Sequence, residues 1–227
     1  MTRALRSALA VALLGALGGC GNPNGDVTAD GSGGHAINGS VRVPAGAHSG
    51  TVATVNGGID IGENAVVQAV EDVNGTVEVG AHASAASVTD VNGMVTLGAG
   101  ARISGRVTTV NGAIDLKPGA EVSGQVKNVN GLISVNGAHV GGGLATVSGD
   151  IEVTGDAKVE GGILVERGSW FGSSGGKEPR IVIGPGAVVQ GELRFERTVK
   201  LYVSEQATIG AVSGATPVRF AGAQPPG

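Results

Sequence analysis

Few side chains in this sequence are of a type and spacing that could do chemistry. Cys20 is the single cysteine and so the one soft nucleophile. It has no partner for a disulfide and belongs to no Cys-rich zinc pattern. Four histidines (His35, His48, His82 and His139) supply the side chains whose ordinary titration falls near neutral pH. The last three sit at unequal distances into the repeat described below, so they define neither a column nor a metal-ligand set. Asp60, Glu78, Asp115 and Glu152 share one phase of that repeat, interrupted by Thr96 and Ser134. This reads as a solvated outward stripe, with a weak cation site as the sharper alternative. No His-Glu-x-x-His and no Gly-x-x-x-x-Gly-Lys occurs. The sequence therefore predicts no catalytic residue, no metal site and no cofactor. An aromatic pair, Trp170 and Phe171, is the remaining candidate, because such side chains anchor protein or glycan contacts when exposed on a loop.

What must position these residues is a repeat. Val55-Asn56-Gly57 recurs at Val73, Val91, Val110 and Val129, preceded by Ile37-Asn38-Gly39 and followed by Val147-Ser148-Gly149. The motifs start at 37, 55, 73, 91, 110, 129 and 147, so each step is 18 or 19 residues. A fixed period in this range is the signature of a solenoid. Within one period the apolar residues mark three short segments. The first alternates, as in Ile59-Asp60-Ile61 and Val77-Glu78-Val79, with the apolar residues inward. The second is Ala-x-Val or Ala-x-Ile, as in Ala101-Arg102-Ile103. The third is Val-x-x-Val, as in Val52 to Val55, both valines read as inward. The longer periods carry their extra residue just before this third segment, where Gly105 gives room for a wider corner.

These segments predict an all-β fold, a three-sided parallel β-helix of about nine to ten coils of 18–19 residues, right-handed. Asn-Gly makes one corner, since asparagine tolerates left-handed backbone and glycine needs no side-chain room. Asn38, Asn56, Asn74, Asn92, Asn111 and Asn130 then form a stacked ladder with a structural role. Asn-Gly is also a strong hairpin signal, so an antiparallel meander is the competing fold.

Composition agrees with a narrow core. Glycine numbers 43 and aromatic residues are 2%, so small branched side chains must fill the interior. The formal charge of −4 becomes −6 once Arg3 and Arg6 are removed with the leader, which argues against nucleic acid as a partner. Residues 1–19 read as an export signal, with Arg3 and Arg6 before an apolar run from Ala8 to Leu17 too short to span a bilayer. Residues 20–36 read as a flexible tether and 37–214 as the β-helix, from which a loop at 168–179 departs. That loop adds about twelve residues, after which Ile181 to Val189 resumes the pattern of Ile59 to Val67. Residues 215–227 read as a disordered tail.

Four resemblances follow. Leu17-Gly18-Gly19-Cys20 resembles the bacterial lipobox, which implies cleavage before Cys20 and its acylation. Gly21 after it, in place of Asp, implies an outer-membrane lipoprotein of the cell envelope. Ile183 to Gly191, and Leu97 to Gly105 less closely, resemble the bactofilins, polymer-forming bacterial scaffolds. That implies a right-handed three-sided β-helix, no nucleotide, and assembly into a homo-oligomer or filament. The repeated Val-Asn-Gly looks more like exported adhesin-type β-strand repeats. Finally, the six-residue spacing of Val55, Ile61, Val67, Val73 and Val79 looks like left-handed hexapeptide acyltransferases, which would make His82 or His139 the acid–base candidate. The reading favoured is a lipid-anchored, non-catalytic envelope scaffold or surface interaction module. Its alternatives are the acyltransferase-like enzyme and a glycan- or protein-binding adhesin.

Overall fold

A computed structural model describes residues 24–168 and 177–225. Their chain winds into a parallel β-solenoid of about ten coils with no helix among the described residues. Every strand pairing is parallel, apart from an isolated antiparallel bridge between Asp30 and Gly33. The antiparallel meander is thereby excluded, since Asn-Gly leads each chain segment onward to the next coil rather than back along its own.

Three runs of pairing tie each coil to the next. Ile59 lies beside Val77, Val77 beside Val95, Val95 beside Ile114 and Ile114 beside Ile133. The second run passes through Ala85, Ile103, Val122, Val140 and Val159. The third passes through Val52, Val70, Val88, Val107, Val126 and Leu144. Adjacent coils are therefore separated by the parallel-strand spacing of about 4.8 Å. The side chains named here are buried and form one continuous core. That core consists of columns of like residues. β-branched side chains with few rotamers lose little freedom when stacked this way.

Coil length is adjusted at defined points. The second and third runs are three residues apart between Val67 and Val70, and four apart between Ile103 and Val107. Gly105, Gly124 and Gly142 take up the extra residue and bond to one another's coils, Gly124 N donating to Gly105 O at 2.9 Å and Gly142 N to Gly124 O at 3.1 Å. A larger insertion follows Val165. Ile151 pairs with Ile181, 30 residues on, where the coils between Gly33 and Ile151 take 18 or 19.

Both ends of the solenoid extend past the expected limits. Val27–Thr28 and Gly33–Asn38 are strands, pairing with Val41–Val43 and Thr51–Ile61, so the coils begin within the segment read as tether. Val27 and Ala29 supply the apolar residues that cover the first coil. At the other end Val218–Phe220 pairs with Lys200–Ser204 inside the segment read as tail. Phe220 is buried there. An isolated pair of apolar residues in a polar stretch carries no period, which is why both end strands escape a periodicity reading.

The Asn-Gly corner explains the tightest constraint. A Cβ placed on Gly93 would overlap the carbonyl oxygen of Gly75, and the same holds for Gly75 against Gly57 and for Gly112 against Gly93. By contrast, a Cβ on Gly58, one residue further along, meets nothing nearer than 3.4 Å. Gly93→Ala should therefore lower the unfolding free energy by about 3 kcal/mol, the upper part of the overpacking range. Gly58→Ala should stay within about 0.5 kcal/mol of the parent. Denaturant titration of the two variants side by side checks this, and equal effects would contradict it.

Candidate functional site

The most regular polar feature runs along the Asn-Gly corner. Strand pairing places Asn38, Asn56, Asn74, Asn92 and Asn111 in register, and a bridge adds Asn130. Each side-chain amide donates to the carbonyl oxygen of the one before it. Asn56 Nδ2 reaches Asn38 Oδ1 at 3.0 Å, Asn74 reaches Asn56 at 3.1 Å, and Asn92 reaches Asn74 at 2.9 Å. Asn111 and Asn130 continue at 3.0 and 2.8 Å. Asn24 accepts from Asn38 at the start, and the Ser148 hydroxyl donates to Asn130 at the finish. Seven hydrogen bonds thus run in one direction along an exposed edge. Each bond contributes modestly, but the chain fixes register over most of the solenoid.

The valines before these asparagines do not point into the core as the sequence reading has them. Val55, Val73, Val91, Val110, Val129 and Val147 are half-exposed. The inward position belongs to the residue one earlier, giving a buried polar column of Thr54, Asp72, Asp90, Thr109, Asn128 and Thr146. The column sits directly behind the corner: a Cβ on Gly75 would lie 2.9 Å from Asp72 Oδ2, and one on Gly149 the same distance from Asn128 Oδ1. A sharp corner turns peptide groups inward, and short polar side chains can satisfy them. Thr54 Oγ1 donates to Gly39 O at 3.0 Å, and Gly149 N donates to Thr146 Oγ1 at 2.9 Å. Sequence reasoning passed over this column although its signal was present. The position reads Thr, Asp, Asp, Thr, Asn, Thr, all turn-capping residues with no long side chain among them.

Not every member is satisfied. Both oxygens of Asp72, Oδ1 of Asp90, and both amide atoms of Asn128 lack hydrogen-bond partners among the described residues. Burial pushes the Asp72 carboxyl up to about 7, with the neighbouring Asp90 charge adding to the effect. The N–H groups of Val73 and Asn74 pull the other way without making hydrogen bonds of good geometry. Burial also raises Asp90, against the hydroxyl of Thr109, which donates to its Oδ2 at 2.8 Å.

The remaining candidates are spread over other faces. Arg42, Asp60, Glu78, Thr96, Asp115, Ser134 and Glu152 do form one register column. Cations already neutralise part of it, Arg42 on Asp60 at 3.1 Å and Lys117 on Asp115 at 2.6 Å. No set of three or more metal-ligating side chains converges among the described residues. His139 lines an open depression of about 350 Å³ with Glu121, Asp156 and Lys158. Its Nε2 lies 3.1 Å from Glu160 Oε1 and its Nδ1 3.9 Å from Glu121 Oε1. Lys158 first, then His139, hold Glu160 below the ordinary carboxylate range. No hydroxyl or thiol is bonded to His139 among the described residues. His82 is exposed on a left-handed corner, φ 56°, its ring lying against Gly100.

Cys20, Trp170 and Phe171 lie outside the described residues. The flanks of the insertion that carries the aromatic pair are defined, however. Gly168 sits against Val147, and Lys177 binds Asp150 at 2.6 Å, with Arg180 N donating to the other Asp150 oxygen at 2.7 Å. The insertion therefore leaves and rejoins the solenoid at the corner where the asparagine ladder ends.

Asn92→Ala removes two ladder bonds and should cost about 1–2 kcal/mol of stability. Asn136→Ala, at an Asn-Gly pair with no side-chain bond among the described residues, should cost less than about 0.5 kcal/mol. Thermal or chemical denaturation distinguishes the two, and an equal effect would remove the ladder as a stabilising element.

Comparison of the chain with family models, with curated proteins and with solved structures returned no match.

Proposed function

We propose that this chain is a lipid-anchored, non-catalytic scaffold or interaction module of the bacterial cell envelope, built on a right-handed, three-sided solenoid. The observation that carries this reading is the use to which the repeated residues are put. Valine and isoleucine columns fill the core, asparagines bond coil to coil, and glycines admit the corner. A repeat so committed to its own stacking leaves the insertion at 168–179, the two end coils and the lipid at Cys20 as the places for contact. The lipobox resemblance at Leu17 to Cys20 supports the anchor. A rigid rod tethered by several acyl chains holds stably to a membrane surface, where a single chain would bind marginally.

The bactofilin resemblance adds self-association through the end coils. Negative-stain electron microscopy of the purified leaderless protein at high concentration tests that part: filaments support it, and dispersed short rods contradict it. The anchor is tested separately. Radiolabelled fatty acid should be incorporated by the parent chain in a Gram-negative host and lost on Cys20→Ala. Label that persists in the variant would overturn lipidation at this residue.

A further inference from the structure

We propose that Asp72 and Asp90 form a one-proton site inside the solenoid, the acid form of Asp72 donating to the free oxygen of Asp90. The two carboxyl groups occupy the same position of consecutive coils, as the pairing of Glu71 with Thr89 fixes. They are therefore stacked at about the inter-strand distance of 4.8 Å. Both are sealed from solvent, with exposures of 2% and 1%. Asp90 has one oxygen engaged by Thr109 and the other without a donor, and Asp72 has no donor on either. Two adjacent buried carboxylates cannot both keep their charge without a counter-cation.

No such cation is supplied. The column neighbours on either side, Thr54 and Thr109, are uncharged. His48, Asp60, Glu71 and Glu78, on the strands packed around Asp72, are exposed or half-exposed, and Asp60 is paired with Arg42. Around Asp90, Arg106 is exposed and Arg102 is directed to Glu121 at 3.6 Å, while Lys127 is held by Glu166 at 2.6 Å. A proton meets this need without placing a further heavy atom between two stacked coils. Its arrival balances simply: Asp72 takes H⁺ from solvent, becomes neutral, and supplies the hydrogen that the Asp90 oxygen lacks. The pair then carries a single negative charge, shared across one hydrogen bond and backed by the Thr109 hydroxyl.

The site makes the centre of the solenoid sensitive to pH in a defined direction. Asp72 is held up to about 7 in the fold, against an ordinary aspartate value of about 3.9 in the unfolded chain. The folded state therefore binds the extra proton between those limits, and stability falls as pH rises through the window, by up to tenfold in the folding constant per pH unit. Asp30 and Glu160 are shifted downward, so their contributions change at more acid pH.

Denaturant titration of the full chain from pH 5 to pH 8 tests the site. The parent should lose stability from pH 5 to about pH 7 and level off toward pH 8. Asp72→Asn, which keeps the shape and provides a permanent donor to Asp90, should lose most of that slope and exceed the parent at pH 8. An unchanged slope in the variant would overturn the proposal. Should Asp72→Asn fail to fold, infrared spectroscopy of the parent gives the same decision. A protonated-carboxyl carbonyl band present at pH 6 and gone by pH 9 supports the site, and its absence at pH 6 excludes it.

Discussion

A single coil of this protein cannot bury its own apolar residues, and everything else follows from the way parallel hydrogen bonding solves that problem. Each coil lends its peptide groups to the next at a fixed spacing, so position n always meets position n of its neighbour. Like must therefore tolerate like at every point around the coil. Valine and isoleucine do so through complementary faces of rigid side chains. Asparagine does so because an amide is both donor and acceptor. Glycine does so at the corner because any side chain would strike the carbonyl of the coil beneath. Carboxylates are the residues least able to satisfy the rule, since two of them stacked repel.

The polar column behind the corner is where that rule is strained. Threonine at this position bonds to the turned peptide groups, as Thr54 and Thr146 do. Aspartate in two consecutive coils creates a local conflict between the repeat's geometry and electrostatics. Local conflicts of this kind within an otherwise self-consistent sequence point to positions where something besides stability is being specified. In this molecule the conflict falls near the middle of the asparagine ladder, away from the ends and from the insertion after Val165. The contact places proposed above lie at the margins of the solenoid, and the proposed one-proton pair lies inside it.

Much of this was legible in the sequence, and for a physical reason. The period and the alternation of Ile59-Asp60-Ile61 and its counterparts are direct consequences of stacking, so the parallel coil, its core columns and its coil lengths follow from them. The second valine of Val-x-x-Val was read inward because hydrophobicity alone places it there. The corner instead rotates the chain so that Thr54 or Asp72 faces the interior and the valine stays half-exposed. Periodicity also cannot register a strand that occurs once, which is why Val27–Thr28 and Val218–Phe220 fall in segments whose sequence reads as a tether and a tail. Charge pairing around His139 depends on which coils are adjacent at that face, and three residues scattered at 121, 139 and 160 give no motif.

The Asn-Gly corners are inter-coil elements rather than turns open to water. Their backbone bonds say so: Gly39 N donates to Asn56 O and Gly112 N to Asn130 O, both at 3.0 Å. Native-state amide hydrogen exchange, resolved by residue, measures this directly. The amides of Gly57, Gly75, Gly93 and Gly112 should exchange as slowly as those of the buried strand residues Val77 and Ile114. Exchange at those glycines as fast as at freely exposed loop residues would contradict it.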